Sequence, residues 1–182
     1  DGTLLNTLED LKDSTNYALA QHSYPTRTLE EVRCFVGNGI RKLIDRAVPE
    51  GTSVEKTDKV FATFREYYAT HSRVKTSMYE GMEQVMDALK EQNISMAIVS
   101  NKADDAVKDL AKYYFAKYID VAIGEREGIS RKPAPDSVYE AMRLLGATKE
   151  NTVYVGDSDV DRATAKNAGI PCISVTWGFR SE

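Results

Sequence analysis

Four short polar clusters hold the residues of this chain best suited to chemistry: Asp1-Gly2-Thr3, Val99-Ser100-Asn101, Arg131-Lys132-Pro133-Ala134-Pro135-Asp136 and Gly156-Asp157-Ser158-Asp159-Val160-Asp161. Together they supply carboxylates, hydroxyls, an amide and a lysine set before a proline. Carboxylate oxygens suit a hard divalent cation such as magnesium. Hydroxyl and amide groups suit phosphoryl oxygens, and an ammonium on a rigid loop can balance the charge that gathers there. In this order, the clusters predict a magnesium-dependent phosphoryl-transfer site.

Each cluster alone also has a plainer reading. Asp157 or Ser158 could cap a helix, with solvated acids in its first turn. Lys132 could be a surface lysine in a proline turn, Ser100-Asn101 an ordinary strand exit, and Asp1-Gly2-Thr3 a turn. Position is what favours chemistry. Ser100 and Asn101 follow the apolar run 96–99, Asp157 follows the strand-like run 152–155, and Lys132 lies in the loop after the run 119–123. In open parallel sheets, ligands bind beyond the carboxyl ends of the strands, where helix N-termini present free N–H groups.

These strands are expected to alternate with helices. Met82, Val85, Met86 and Leu89 recur at helical spacing before the run 96–99; Val107, Leu110, Ala111 and Tyr114 do so before the run 119–123. Val138, Met142 and Leu145 mark a helix closed by Gly146, residues 160–168 one closed by Gly169, and residues 172–176 a last strand. Strands separated by helices predict an α/β fold: a doubly wound, Rossmann-like parallel sheet. The earlier part of the chain differs. Leu8, Leu11, Thr15 and Leu19 keep helical period, Thr28 and Glu31 form a capping-box pattern, and Ile40, Leu43, Ile44 and Ala47, then Val60, Phe64, Tyr67 and Tyr68, continue the helical spacing with no convincing strand. The expected organisation is an α/β core of residues 1–7 and 78–182, interrupted by an α-helical cap of residues 8–77.

Composition narrows the function further. The 182 residues carry 24 basic and 28 acidic side chains, a net charge of -4, with no basic cluster that would suit nucleic acid. No apolar run is long enough for a membrane span or a secretory leader, so a cytoplasmic protein is expected, with no membrane partner. Cys34 and Cys172 lack CxxC spacing and read as reduced, structural residues; His22 and His71 are isolated, which gives a zinc site little support.

With all four clusters in order and a helical insertion after the first, the chain resembles the haloacid dehalogenase superfamily, in its phosphoglycolate phosphatase-like branch. DGTLLNT, IVSNK, RKPAPD and VGDSDVD look like its four motifs, and the similarity runs along essentially the whole chain. The resemblance implies a Mg2+-dependent phosphatase acting on a small phosphorylated metabolite, 2-phosphoglycolate foremost, through an aspartyl-phosphate. It implies that Asp1 is the general acid and base and lends its backbone carbonyl to the metal. Asp157 supplies a metal carboxylate, and Asp161 either joins it or orients Lys132. Thr3, Ser100 and Asn101 would bind phosphoryl oxygens, while Lys132 balances charge around the nucleophile. Gly39, within Gly37-Asn38-Gly39, and Arg180, beyond the last strand, are the candidates for substrate choice.

In that family the attacking aspartate stands two residues before the one matching Asp1, and a further strand and helix follow the region resembling residues 175–182. A chain beginning with Asp rather than Met is therefore expected to be cut from a longer one and to lack a central strand. A pyrophosphatase or phosphomutase of the same superfamily, or a binding protein without the nucleophile, are the alternatives. A signalling receiver domain fits poorly, because its phosphate-accepting aspartate would stand where this chain has Ser100. A monomer or homodimer is expected.

Overall fold

The computed structural model describes residues 1–37 and 39–179. After a two-residue strand, β1 (Leu5–Asn6), come four helices: α1 (Leu8–Gln21), α2 (Leu29–Phe35), α3 (Ile40–Ala47) and α4 (Val54–His71). The capping box read from Thr28 and Glu31 forms: Thr28 Oγ1 accepts from the Glu31 N–H at 3.2 Å, and Glu31 accepts from the Thr28 N–H at 2.7 Å. Ser53 caps α4 through the Lys56 N–H. Leu11, Leu19, Leu43, Ile44, Val60 and Phe64, placed by helical periodicity, interlock in one buried cluster. Each such side chain contributes about 1.5–3 kcal/mol on burial. Helices of this length are marginal in isolation, so the shared apolar face holds them.

The chain enters and leaves this helical unit through adjacent linkers. β1 pairs antiparallel with β2 (Ser77–Met78), with Leu5 opposite Met78 and Asn6 opposite Ser77. Beside them the Asp10 carboxylate, 2% exposed, accepts from the N–H groups of Lys75 and Thr76 and from Thr76 Oγ1 at 2.7 to 3.1 Å. One side chain thereby ties the start of α1 to the returning linker. Asp10→Ala leaves those buried donors without an acceptor and should destabilise the protein by about 2–3 kcal/mol. The urea midpoint measures this, and an unchanged midpoint would show that the linker is held by other means.

The remaining elements alternate as the sequence predicts: α5 (Met82–Glu91), β3 (Met96–Ala103), α6 (Asp104–Tyr114), β4 (Ile119–Glu125), α7 (Asp136–Leu145), β5 (Tyr154–Gly156), α8 (Asp159–Ala168) and β6 (Cys172–Ser174). β3 runs parallel to β4, and β5 to β6, as helical crossovers require. The strand ends differ from those read off the apolar runs, because pairing sets them. Ala103 pairs with Glu125, which carries β3 past Val99 and β4 past Ile123. Gly156 pairs with Ser174, which ends β6 before Thr176. Ser100 and Asn101 therefore lie within the end of β3 rather than after it.

Besides the antiparallel β1–β2 pair, the described strands form two parallel pairs, β3–β4 and β5–β6. A cavity of about 750 Å³ is lined from both pairs, by Ile98 and Val99 of β3, Val155 of β5 and Ile173 of β6. Met82, Met86, Leu110 and Phe115 form one apolar cluster of the α/β part. Val138, Met142, Ala165 and Ala168 form another, against which Cys172 packs. Cys34, on α2, is free and exposed. At the carboxyl ends of β3 and β5 the cavity lining turns polar.

Candidate active site

Every sequence-predicted site residue among the described ones lines that cavity: Asp1, Thr3, Gly39, Ser100, Asn101, Lys132, Asp157 and Asp161. Arg180 lies outside the described residues. Residues more than 150 positions apart in the chain meet directly, since Thr3 Oγ1 donates to Asp157 Oδ1 at 2.9 Å.

Lys132 is the most firmly held group. Its backbone is gripped at both ends by the Asn101 amide: Asn101 Oδ1 accepts from the Lys132 N–H at 2.8 Å, and Asn101 Nδ2 donates to the Lys132 carbonyl at 3.0 Å. The following peptide bond, to Pro133, is cis. Lys132 Nζ donates to Asp161 Oδ1 at 2.7 Å and to Tyr154 Oη at 3.1 Å. An ammonium has three N–H bonds, so one remains for a ligand. Asn101, expected to bind phosphate, also fixes the lysine loop.

Asp161 lies at the start of α8, where Ser158 Oγ accepts from its backbone N–H and the Ser158 N–H and Oγ both donate to Asp161 Oδ2, at 3.1 and 2.6 Å. Tyr154 Oη donates to the other oxygen at 2.9 Å, beside Lys132. Both oxygens of the carboxylate thus have partners within the protein. Burial pushes the carboxyl up, but the Lys132 charge and the hydrogen bonds from Lys132, Ser158 and Tyr154 outweigh it and hold Asp161 below the ordinary 3.8. Burial, with Asp161 beside it, drives the Tyr154 phenol far upward, so it stays a protonated donor.

A carboxyl depressed in the folded state contributes stability above its unfolded value, and that contribution is lost as pH falls through the lower folded value. The native protein should therefore lose thermal stability more steeply than Asp161→Asn as pH drops below about 4. Melting curves between neutral pH and the acid limit of folding measure the difference, and parallel profiles would contradict it.

Asp157 follows β5, the carboxyl-end position predicted for it. Its Oδ1 accepts from Thr3 Oγ1, and its Oδ2 accepts from the Phe179 N–H at 3.2 Å. Gly2, at φ +76, lies so close that any Cβ would strike the Asp157 carboxylate. Glycine is thus needed there both for its left-handed backbone and for the close approach. Trp177 Nε1 donates to the Thr3 carbonyl at 3.0 Å and ties the loop after β6 to the same turn. Gly39, the N-cap of α3 at φ +89, is approached so closely by the Arg131 guanidinium that a side chain would collide with it. This contact joins the lysine loop to the helical unit.

Three contributors escaped sequence reasoning: Tyr154, Tyr68 and Lys102. Tyr154 and Tyr68 carry only an apolar signature. Lys102 had a usable signal, because strand alternation places residues two apart on one face and it stands two beyond Ser100. The Lys102 N–H donates to Ser100 Oγ at 3.1 Å, which leaves the serine O–H free to donate elsewhere.

The alternating α/β fold of this chain is shared by solved structures. The family model described as "Haloacid dehalogenase-like hydrolase" matches residues 1–175, and the chain belongs to that family. It is 32% identical, over 98% of its length and 68% of the relative's, to "Phosphoglycolate phosphatase 1" of Pseudomonas aeruginosa. It is 33% identical, over 99% of its length and 83% of the relative's, to "Phosphoglycolate phosphatase" of Rhodobacter capsulatus. A crystal structure from Lactobacillus delbrueckii subsp. bulgaricus superposes with a TM-score of 0.92 at 34% identity, covering 100% of this chain and 85% of that one. A predicted phosphoglycolate phosphatase of Haemophilus somnus superposes with a TM-score of 0.89 at 27% identity, covering 98% and 83%. The protein is a phosphatase.

Proposed function

We propose that the cavity hydrolyses a small, anionic phosphomonoester with magnesium, and that 2-phosphoglycolate is its substrate. The observation that carries this reading is the convergence of Asp1, Ser100, Lys132 and Asp157 on one cavity. The names of the relatives from Pseudomonas aeruginosa and Rhodobacter capsulatus support the substrate.

The donor set fits magnesium. Among the described residues no group of three or more His, Cys, Asp or Glu side chains could hold a metal ion. Magnesium asks for less, since it takes one or two carboxylates and keeps several waters. Asp157, with lone pairs to spare on each oxygen, and the backbone carbonyl of Asp1 would hold it. Bound there, magnesium would neutralise charge on the phosphoryl oxygens.

The protein's own groups do the rest. By family resemblance, the attacking group is a carboxylate. It forms an aspartyl-phosphate in an in-line displacement. Asp1 gives a proton to the leaving alcohol oxygen and then takes one from the water that resolves the intermediate. Ser100 donates its free O–H to a phosphoryl oxygen, and Lys132 supplies its remaining N–H and its charge. Asp161 orients Lys132 rather than joining the metal, because each of its oxygens already accepts two hydrogen bonds, whereas each Asp157 oxygen accepts one. Thr3 orients Asp157 through its hydroxyl.

Residues 8–77 act as a cap that shuts water out of the site. Gly39, with Arg180, is assigned to the substrate carboxylate. Among the described residues no helix is long and apolar enough to cross a membrane. We place the enzyme in the cytoplasm, as a monomer or homodimer acting on a free metabolite.

The test compares 2-phosphoglycolate with ethyl phosphate, which lacks the carboxylate. The full-length protein should show at least about tenfold higher kcat/KM for the former, equivalent to about 1.4 kcal/mol. Equal values would remove the carboxylate from the recognition.

A further inference from the structure

Lys102 is a buried cation that none of these roles uses. Its side chain is 6% exposed and its Nζ lies 3.3 Å from Asp1 Oδ2. The same nitrogen donates to Tyr68 Oη at 2.9 Å and sits over the Tyr68 ring, 4.8 Å from its centroid. Lys102 stands on β3, whereas Tyr68 stands on α4 of the helical unit. Tyr68 is itself buried and stacks on Phe64 within the apolar cluster of that unit. One ammonium therefore bridges the carboxylate assigned to proton transfer and the interior of the cap.

The energetics make the bridge conditional. A lysine this buried is tolerated only while its charge is paired and its donors are met. Asp1 meets one side of the ammonium, and Tyr68 meets another through its hydroxyl oxygen. A lysine ends in a flexible four-carbon stem with rotatable donors, so a single contact does not fix its direction, whereas two contacts do. If α4 withdraws, Lys102 loses Tyr68 and becomes free to turn, and the Asp1 carboxylate loses its fixed partner.

We propose that Lys102 is a positioning residue that sets the Asp1 carboxylate only while Tyr68 is docked, so that cap closure and readiness for proton transfer are one event. The role of Asp1 rests on the phosphatase reading; the latch itself rests on the contacts of Lys102. No charge or hydrogen bond of Lys132, Asp157 or Asp161 is needed for it.

The test uses the full-length protein with Tyr68→Phe, Lys102→Met and the double variant. Tyr68→Phe keeps the ring and its packing, so it folds even where Lys102→Met does not. Spin labels on the exposed Cys34 of the cap and on a cysteine introduced by Lys112→Cys in α6, in a Cys172→Ser background, report the distance between cap and core. Each latch variant should broaden that distance and shift it outward, and the double variant should shift it no further than Lys102→Met. With an aryl phosphate, kcat should fall about tenfold in Tyr68→Phe and about a hundredfold in Lys102→Met, KM should hold within about twofold, and the double variant should match Lys102→Met. An unchanged distance in Lys102→Met, or fully additive losses, would overturn the latch. Shifted distances with kcat unchanged would support the contact between Lys102 and Tyr68 and overturn the role of Asp1 in proton transfer.

Discussion

Replacing Lys132 with Met is expected to remove nearly all turnover and to destabilise the protein at the same time. The two effects share an origin. Lys132 and Asp161 form an ion pair at 2.7 Å whose side chains are 13% and 7% exposed. Removing one member of such a pair leaves an uncompensated charge in the interior, at about 3–5 kcal/mol. Tyr154 and Ser158 still donate to Asp161, so the lower end of that range is the better expectation. Turnover should fall about a thousandfold, the scale seen when a preorganised donor is taken from developing charge. A second substitution separates the causes. Lys132→Met with Asp161→Asn removes the stranded charge and should regain most of the lost stability, but none of the activity. Urea unfolding and phosphate release from 2-phosphoglycolate measure both. Turnover within tenfold of the native protein in Lys132→Met would remove the lysine from the reaction.

Asp157→Asn should abolish turnover to a similar degree with far less effect on folding. The amide keeps the shape of the carboxylate, which matters where Gly2 and Gly178 press against it. Its carbonyl oxygen can still accept from Thr3 or from the Phe179 N–H. The charge and one acceptor are lost, and charge is what holds a hard cation among few protein ligands. A melting temperature within a few degrees of the native value, alongside a loss of about a thousandfold in kcat, is the expected pair of results. Retained turnover would mean that Asp157 serves the fold of the Gly2 turn and not the metal.

Much of this was legible in the sequence because periodicity and position carry physical meaning. Leu43, Ile44 and Ala47 could be assigned to a buried face from spacing alone, and all are buried. Asp157 could be placed at a strand's carboxyl end because Thr152-Val153-Tyr154-Val155 reads as a strand whatever follows it. What stayed hidden depends on partners distant in the chain. Asp10 in the first turn of a helix reads as an acid complementing the dipole, yet it is buried and satisfied by Lys75 and Thr76. β2 is only two residues long and has no pattern of its own; its pairing with Leu5 and Asn6 defines it. Asp161 reads equally fit for metal or lysine, and the donors it meets, Ser158 and Tyr154, carry no mark in the sequence of that contact. Asn101, an amide beside a serine, carried no sign that it would grip the Lys132 backbone.

The magnesium requirement of phosphate release tests most directly whether Asp1, Ser100, Lys132 and Asp157 serve a single hydrolytic centre. Full-length protein stripped with EDTA and then titrated with magnesium should release no phosphate from 2-phosphoglycolate at first and regain turnover along a saturable curve, a curve that Asp157→Asn lacks. Equal turnover in EDTA and in magnesium would contradict the shared centre.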